Sequence, residues 1–86
     1  MSEYRIELRP AAVRALRKLE PPVRRRVQGA FALLARNPRP PAARALAGRP
    51  GLRVRVGDHH IIYTFTDGVL LVVVVTLGNR REVYER

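Results

Sequence analysis

The sequence predicts an α+β fold in the order β, α, α, β, β, β: a helical hairpin packed on one face of a mainly antiparallel four-stranded sheet. Two observations point to it. Residues 10–38 contain two runs with apolar side chains at helical spacing, each opened by proline. The second half holds a strictly alternating segment, a histidine-led aliphatic segment, an Asp-Gly turn signal and a long β-branched run.

Tyr4-Arg5-Ile6-Glu7-Leu8 alternates as a first strand and places Tyr4, Ile6 and Leu8 toward the core. Pro10 stops that strand and suits the first turn of a helix. From Ala11 to Leu19, Val13, Leu16 and Leu19 recur at helical spacing opposite Arg14, Arg17 and Lys18. Glu20-Pro21-Pro22 breaks this helix and a proline opens the next. The second helix is expected from Val23 to Ala35, with Val23, Val27, Ala30, Phe31 and Leu34 as its apolar stripe. Arg24, Arg25 and Arg26 fall around its solvent side. Asn37-Pro38 ends it, because the residue before proline disfavours helix.

Arg39 to Pro50 is a connection rich in proline and alanine, in which Ala42 to Leu46 is expected to form one helical turn with Leu46 pinned to the core. In the strand that follows, Leu52, Val54 and Val56 share one face, and Arg53 and Arg55 share the other. The next strand runs from Asp58 or His59 to Phe65, with Tyr63 and Phe65 on the core-facing parity of Ile61. Thr66-Asp67-Gly68 reads as a hairpin turn whose Asp-Gly supplies positive φ angles. Val69 to Leu77 is almost wholly apolar, as suits a central strand covered on both faces, and Gly78 ends it.

Eighty-six residues fit one domain, residues 1–86, and 47% hydrophobic content is enough for a core. The chain has no cysteine, which excludes disulfides, thiolate metal sites and cysteine nucleophiles. No histidine–carboxylate grouping suggests a metal site and no glycine-rich loop follows a strand, so no cofactor is expected. The N-terminal stretch lacks the apolar region of a signal peptide, and the longest apolar run is too short to span a bilayer as a helix. Cytoplasmic residence and no membrane partner are therefore expected. A formal charge of +10 implies a polyanionic partner: RNA, DNA, anionic lipid or an acidic protein. Only Lys18 among the seventeen basic residues is a lysine. Coding bias accounts for that choice of arginine, but not for the excess of positive charge.

Arg53 and Arg55, side by side on one strand face, form a compact cationic platform, and their planar forks suit phosphate oxygens. On the residues alone, a solvated strand face or a docking surface is the commoner use of such a pair. Histidine is the side chain whose ordinary pKa lies near neutrality, so His60 is a candidate acid or base. His59 is read as a surface or hydrogen-bonded residue.

Taken together, YRIELRPAAVRALRKL, PPVRRRVQGAFALLARNPRPP, RALAGRPGLRVRVGDHHIIYTF and VTLGNRREVY follow one another in the order and spacing of a known family. Over nearly its full length the chain resembles the RelE/ParE superfamily of toxins from type II toxin–antitoxin pairs, and is closer to the RelE branch. That resemblance implies the same βααβββ fold. It also implies a ribosome-dependent endoribonuclease that cuts messenger RNA, inhibits translation and is neutralised by a cognate antitoxin in a hetero-oligomer. Carried over by motif, the catalytic positions are Arg53, Arg55, Arg80 and Tyr84, to which His60 is added as the candidate acid or base. Arg53, Arg55, Arg80 and Arg81 hold phosphate, the alignment slipping by one between Arg80 and Arg81. Family members often carry Gly-Asp-Tyr-Arg before the aliphatic pair. This chain reads Gly57-Asp58-His59-His60-Ile61-Ile62-Tyr63, so His60 stands where a phosphate-binding arginine is expected. The resemblance implies metal-free cleavage by the 2′-hydroxyl. Two alternatives accompany it: a ParE-like inhibitor of DNA gyrase that is not a nuclease, and a weakened toxin that mainly binds its antitoxin.

Overall fold

Proline placement sets the helical half of the molecule. The computed structural model describes residues 3–79. After β1 (Arg5–Leu8), Pro10 opens α1 (Pro10–Lys18), and Pro21 and Pro22 open α2 (Pro21–Arg36). A residue without an N–H forfeits no intrahelical bond in the first turn, so proline is tolerated there. Four strands follow: β2 (Arg44–Ala45), β3 (Leu52–Val56), β4 (His59–Thr66) and β5 (Leu71–Asn79). They form one five-stranded sheet ordered β1-β5-β4-β3-β2. β1 runs parallel to β5, and every other pairing is antiparallel.

The fifth strand replaces the helical turn expected over Ala42 to Leu46. The Ala43 N–H donates to the Pro40 carbonyl at 3.0 Å, which directs Arg44 and Ala45 along β3 opposite Arg53 and Leu52. The Leu46 N–H then donates to the Gly51 carbonyl at 3.1 Å. Sheet pairing satisfies main-chain groups that a one-turn helix leaves open.

α2 buries Val27, Phe31 and Leu34, with Val23 and Ala30 packed beside them, as its stripe predicts. α1 differs in phase. Its buried residue is Ala12, flanked by Ala15, Leu16 and Leu19, and Val13 lies outside the cluster. The start at Pro10 sets the face, and α1 packs on β5 through it. The arginine run is not a uniform solvated face either. Arg24 is half-buried and donates to the Leu19 carbonyl at 3.0 Å, tying α2 to the end of α1.

β5 departs from the expected Val69–Leu77 strand in three ways. Val69 and Leu70 belong to the turn, and the strand continues through Gly78 to Asn79. The connection from Thr66 to Leu71 is a four-residue loop, closed by the Leu70 N–H on the Asp67 carbonyl at 3.2 Å. Its left-handed residue is Leu70, with φ 50°, and Gly68 does not supply the positive φ expected of it. Longer hairpin loops place that residue late in the loop, whereas only a two-residue turn needs it at Asp-Gly. Finally, Ile62 pairs with Thr76 and Tyr63 with Val74, leaving Val75 as a β-bulge. The bulge resets the alternation, so Val72, Val74 and Leu77 are all buried against the helices while Val75 is 38% exposed. The strand is thus not covered on both faces.

The core lies between helices and sheet, built on Ala12, Val27, Phe31, Leu34, Ile61, Tyr63, Val72, Val74 and Leu77. The buried Tyr63 hydroxyl donates to the Pro38 carbonyl at 2.7 Å, which fixes the exit from α2. Burial pushes its pKa up from 10.0 to about 12. At the hairpin end, Asp67 accepts hydrogen bonds from Tyr4 and, at 2.8 Å, from Arg39. Arg39 also lies 4.4 Å over the Phe65 ring, so this cluster fastens the α2–β2 connection to β1 and β4. Among the described residues no helix is long and apolar enough to cross a membrane.

Candidate functional site

Alternation along β3 and β4 decides which side chains meet. Leu52, Val54 and Val56 face the helices, as do Ile61 and Tyr63, so Arg53 and Arg55 stand on the opposite face, open in the sense that no helix among the described residues packs on it. The register sets Arg55 directly across from His60, and Arg53 across from Ile62. On its other side His60 pairs with Gly78. Arg55, His60 and Gly78 therefore form one row across three strands, with Arg53 diagonally adjacent. Arg55 is exposed, and Arg53 and His60 are half-buried.

Gly78 gives this row its shape. It is buried, and it adds no side chain of its own beside the imidazole. The Arg55 guanidinium is held from the other end, where its Nε donates to the Gly57 carbonyl at 2.8 Å. Gly57 has φ 60°, and the Arg26 guanidinium packs against it from α2, 3.4 Å from where a Cβ would stand. The β3–β4 turn is thus flanked by two arginines, extending the cationic surface from the open face around the sheet edge. Arg26 belongs to a run that reads as a plain solvated face, and only the folded contact reveals its place.

Charge is unevenly distributed. The ion pairs Arg5–Glu7, Arg36–Glu3 and Arg39–Asp67 lie along β1, the end of α2 and the β4–β5 hairpin, away from the Arg55–His60 row. Hydrogen bonds from Arg39 and then Tyr4 hold the Asp67 carboxyl below its ordinary value of 3.8. Carboxylates at that end pair with local arginines, whereas the β3–β4 turn carries Asp58 beside Arg26 and Arg55.

The structure brings together Arg53, Arg55 and His60 of the expected site. Arg80, Arg81 and Tyr84 lie outside the described residues. His59 faces away from His60, toward the helices, opposite Asn79. Among the described residues no cluster of three histidine, aspartate or glutamate side chains is arranged to hold a metal.

The family described as the ParE toxin of type II toxin–antitoxin systems, parDE, matches residues 6–84. The chain belongs to this family. Solved structures place the fold beside RelE toxins. The RelBE2 toxin–antitoxin complex of Mycobacterium tuberculosis is similar at 28% identity and TM-score 0.79, over 93% of this chain and 94% of that one. The isolated Escherichia coli RelE toxin is similar at 26% identity and TM-score 0.77, over 94% and 90%. The archaeal RelE–RelB complex of Pyrococcus horikoshii OT3 shares the fold, with TM-score 0.77 at 24% identity over 93% and 97%. A comparison with curated proteins finds no match. The protein is a RelE/ParE superfamily toxin of a type II toxin–antitoxin module, structurally close to RelE.

Proposed function

We propose that this toxin is a ribosome-dependent endoribonuclease that cuts messenger RNA, inhibits translation in the cytoplasm and is held inactive by a cognate antitoxin. The observation that carries the reading is the open-face row of Arg55, His60 and Gly78 with Arg53 beside it. Cleavage takes the form of internal transesterification. The 2′-oxygen loses its proton and attacks the adjacent phosphorus, the bond from phosphorus to the 5′-oxygen breaks, and that oxygen is protonated. The products are a 2′,3′-cyclic phosphate and a 5′-hydroxyl. Arg53 and Arg55 supply permanent charge to the phosphorane oxygens, a contribution that grows as charge develops. His60 exchanges a proton with the reacting oxygens, a task for which arginine is unsuited. Arg80 or Arg81 adds charge, and Tyr84 stacks on a base or assists a proton transfer. The ribosome contributes by holding the message in reactive geometry.

The antitoxin fits the same charge logic. RelB-type antitoxins accompany RelE in the solved complexes, and acidic residues of a cognate partner complement this basic face. Purified toxin added to a translation reaction should create new, codon-registered 5′ ends on the message, mapped by primer extension. Those ends should be absent without ribosomes.

A second reading is favoured by the matched family itself, which is named for ParE. In that reading the toxin poisons DNA gyrase and the open-face row has no hydrolytic use. Intact message together with inhibited supercoiling would establish it. Two negative results would leave a weakened toxin whose remaining activity is antitoxin binding.

A further inference from the structure

His59 and His60 leave the same strand on opposite sides. On the helix side, His59 lies across from Asn79, and α1 passes over the pair. Ala11 and Ala15 are the small residues of α1 at this point, and Arg14 and Lys18 flank them on the exposed helix surface. These side chains line an open pocket of about 380 Å³. β1 pairs with β5 only as far as Leu8 opposite Val74, after which the chain turns into α1. The stretch of β5 from Thr76 to Asn79 therefore runs beyond β1 and forms the pocket's inner wall.

The chemistry of the lining selects a ligand class. A guanidinium, an ammonium, an imidazole and a carboxamide all present hydrogen-bond donors, and among the described residues no carboxylate lines the pocket to serve as an anionic metal ligand. A phosphate oxygen meets the positive charge of Arg14 and Lys18 and the donors of His59 and Asn79. Gly78 connects the two sides: it pairs with His60 on the open face and also lines this pocket.

We infer that this pocket is a second RNA phosphate site, holding a backbone phosphodiester that flanks the one over Arg53, Arg55 and His60. A strand leaving the Arg55–His60 row at its Gly78 end rounds the end of the sheet to reach Arg14 and Lys18. The inference rests on the RNA-cleaving reading and extends it from one phosphate to two, with His59 and His60 serving opposite faces.

The test is fluorescence anisotropy with a labelled, 2′-O-methylated single-stranded RNA, which cannot be cleaved, titrated at several salt concentrations. Each lost phosphate contact lowers the slope of log affinity against log salt by about 0.7 for a single strand. The double variant Arg14→Gln/Lys18→Gln should lower the slope by about that amount and weaken binding several-fold. Arg53→Gln/Arg55→Gln should do the same independently, and the four-fold variant should show both losses. A wild-type slope in the Arg14/Lys18 variant, with a reduced slope in the Arg53/Arg55 variant, overturns the second site and leaves the nuclease reading standing. Absence of RNA binding by the wild-type protein overturns the second site, whereas the ribosome-dependent nuclease reading is overturned only by intact message in the translation reaction. Weakened antitoxin binding with unchanged RNA binding makes the pocket a protein contact and also overturns the proposal. Circular dichroism checks the fold of each variant, and the two single substitutions on the exposed face of α1 replace the double variant if it is unfolded.

Discussion

At the residue scale, His60 and its neighbours divide the work between charge and proton transfer. Arg53→Ala or Arg55→Ala should lower ribosome-dependent cleavage by about 10²–10³-fold, the range for losing one donor to a developing oxyanion. His60→Ala should lower it by about 10²–10⁴-fold, as expected for a positioned acid or base. Arg53 and His60 are half-buried and Arg55 donates to the Gly57 carbonyl, so a denaturant melt of each variant separates any loss of stability from the loss of cleavage. Tyr63 makes the opposite case, a residue whose polar atom serves stability. Its phenol ionises at 10.0 when solvated and is pushed up to about 12 in the fold by burial. The neutral form is thus favoured by folding. That stabilisation is complete below pH 10.0 and is lost as pH rises through about 12. Tyr63→Phe should cost about 1 kcal/mol through the lost bond to Pro38 and should flatten this alkaline limb, as read by urea unfolding across pH. The packing role of Tyr63 is legible from its parity with Ile61. Its hydroxyl partner is not, because Pro38 lies 25 residues away on the chain.

Elements carry their own constraints. Gly51 sits at φ 121°, and a Cβ there would stand 3.1 Å from Leu46 and 3.2 Å from the Tyr63 carbonyl. Gly51→Ala therefore combines a strained backbone with contact against main chain, and should destabilise by about 1–3 kcal/mol in thermal or denaturant melts. The Asp67 cluster ties β1, β4 and the α2–β2 connection together, and its carboxyl is held below its ordinary value by Arg39 and then Tyr4. Its contribution is present above the ordinary carboxylate range and is lost as pH falls through the lowered folded value. Asp67→Asn should reduce the acid dependence of the melting temperature. The helices and the strand 52–56 were readable because prolines punctuate the former and strict alternation marks the latter. β5 was harder. A run of valines and leucines has no alternation to count, so the extra residue at Val75 leaves no mark in the sequence. β2 was hidden for a different reason: its two residues are a strand only because β3 lies beside them.

Across the whole molecule, positive charge exceeds negative by a net +10. Among the described residues the ion pairs Arg5–Glu7, Arg36–Glu3 and Arg39–Asp67 lie on the β1 and hairpin side, and Arg53, Arg55, Arg14 and Lys18 lie toward the other end. Such a field steers a polyanion toward that end and makes its binding sensitive to salt. The sequence disclosed the excess of positive charge and, through strand parity, the shared face of Arg53, Arg55 and His60. It did not disclose the second basic pocket, because Arg14 and Lys18 are separated from His59 and Asn79 by most of the chain and meet them only after α1 packs on β5. Whether the Arg53–Arg55–His60 face cuts RNA is tested by primer extension on message from a translation reaction containing wild-type toxin or Arg55→Ala/His60→Ala. Ribosome-dependent, codon-registered 5′ ends are expected with the wild type and should be lost in the variant. Equal cleavage by both proteins, or intact message with wild-type toxin, would contradict the RNA-cleaving reading.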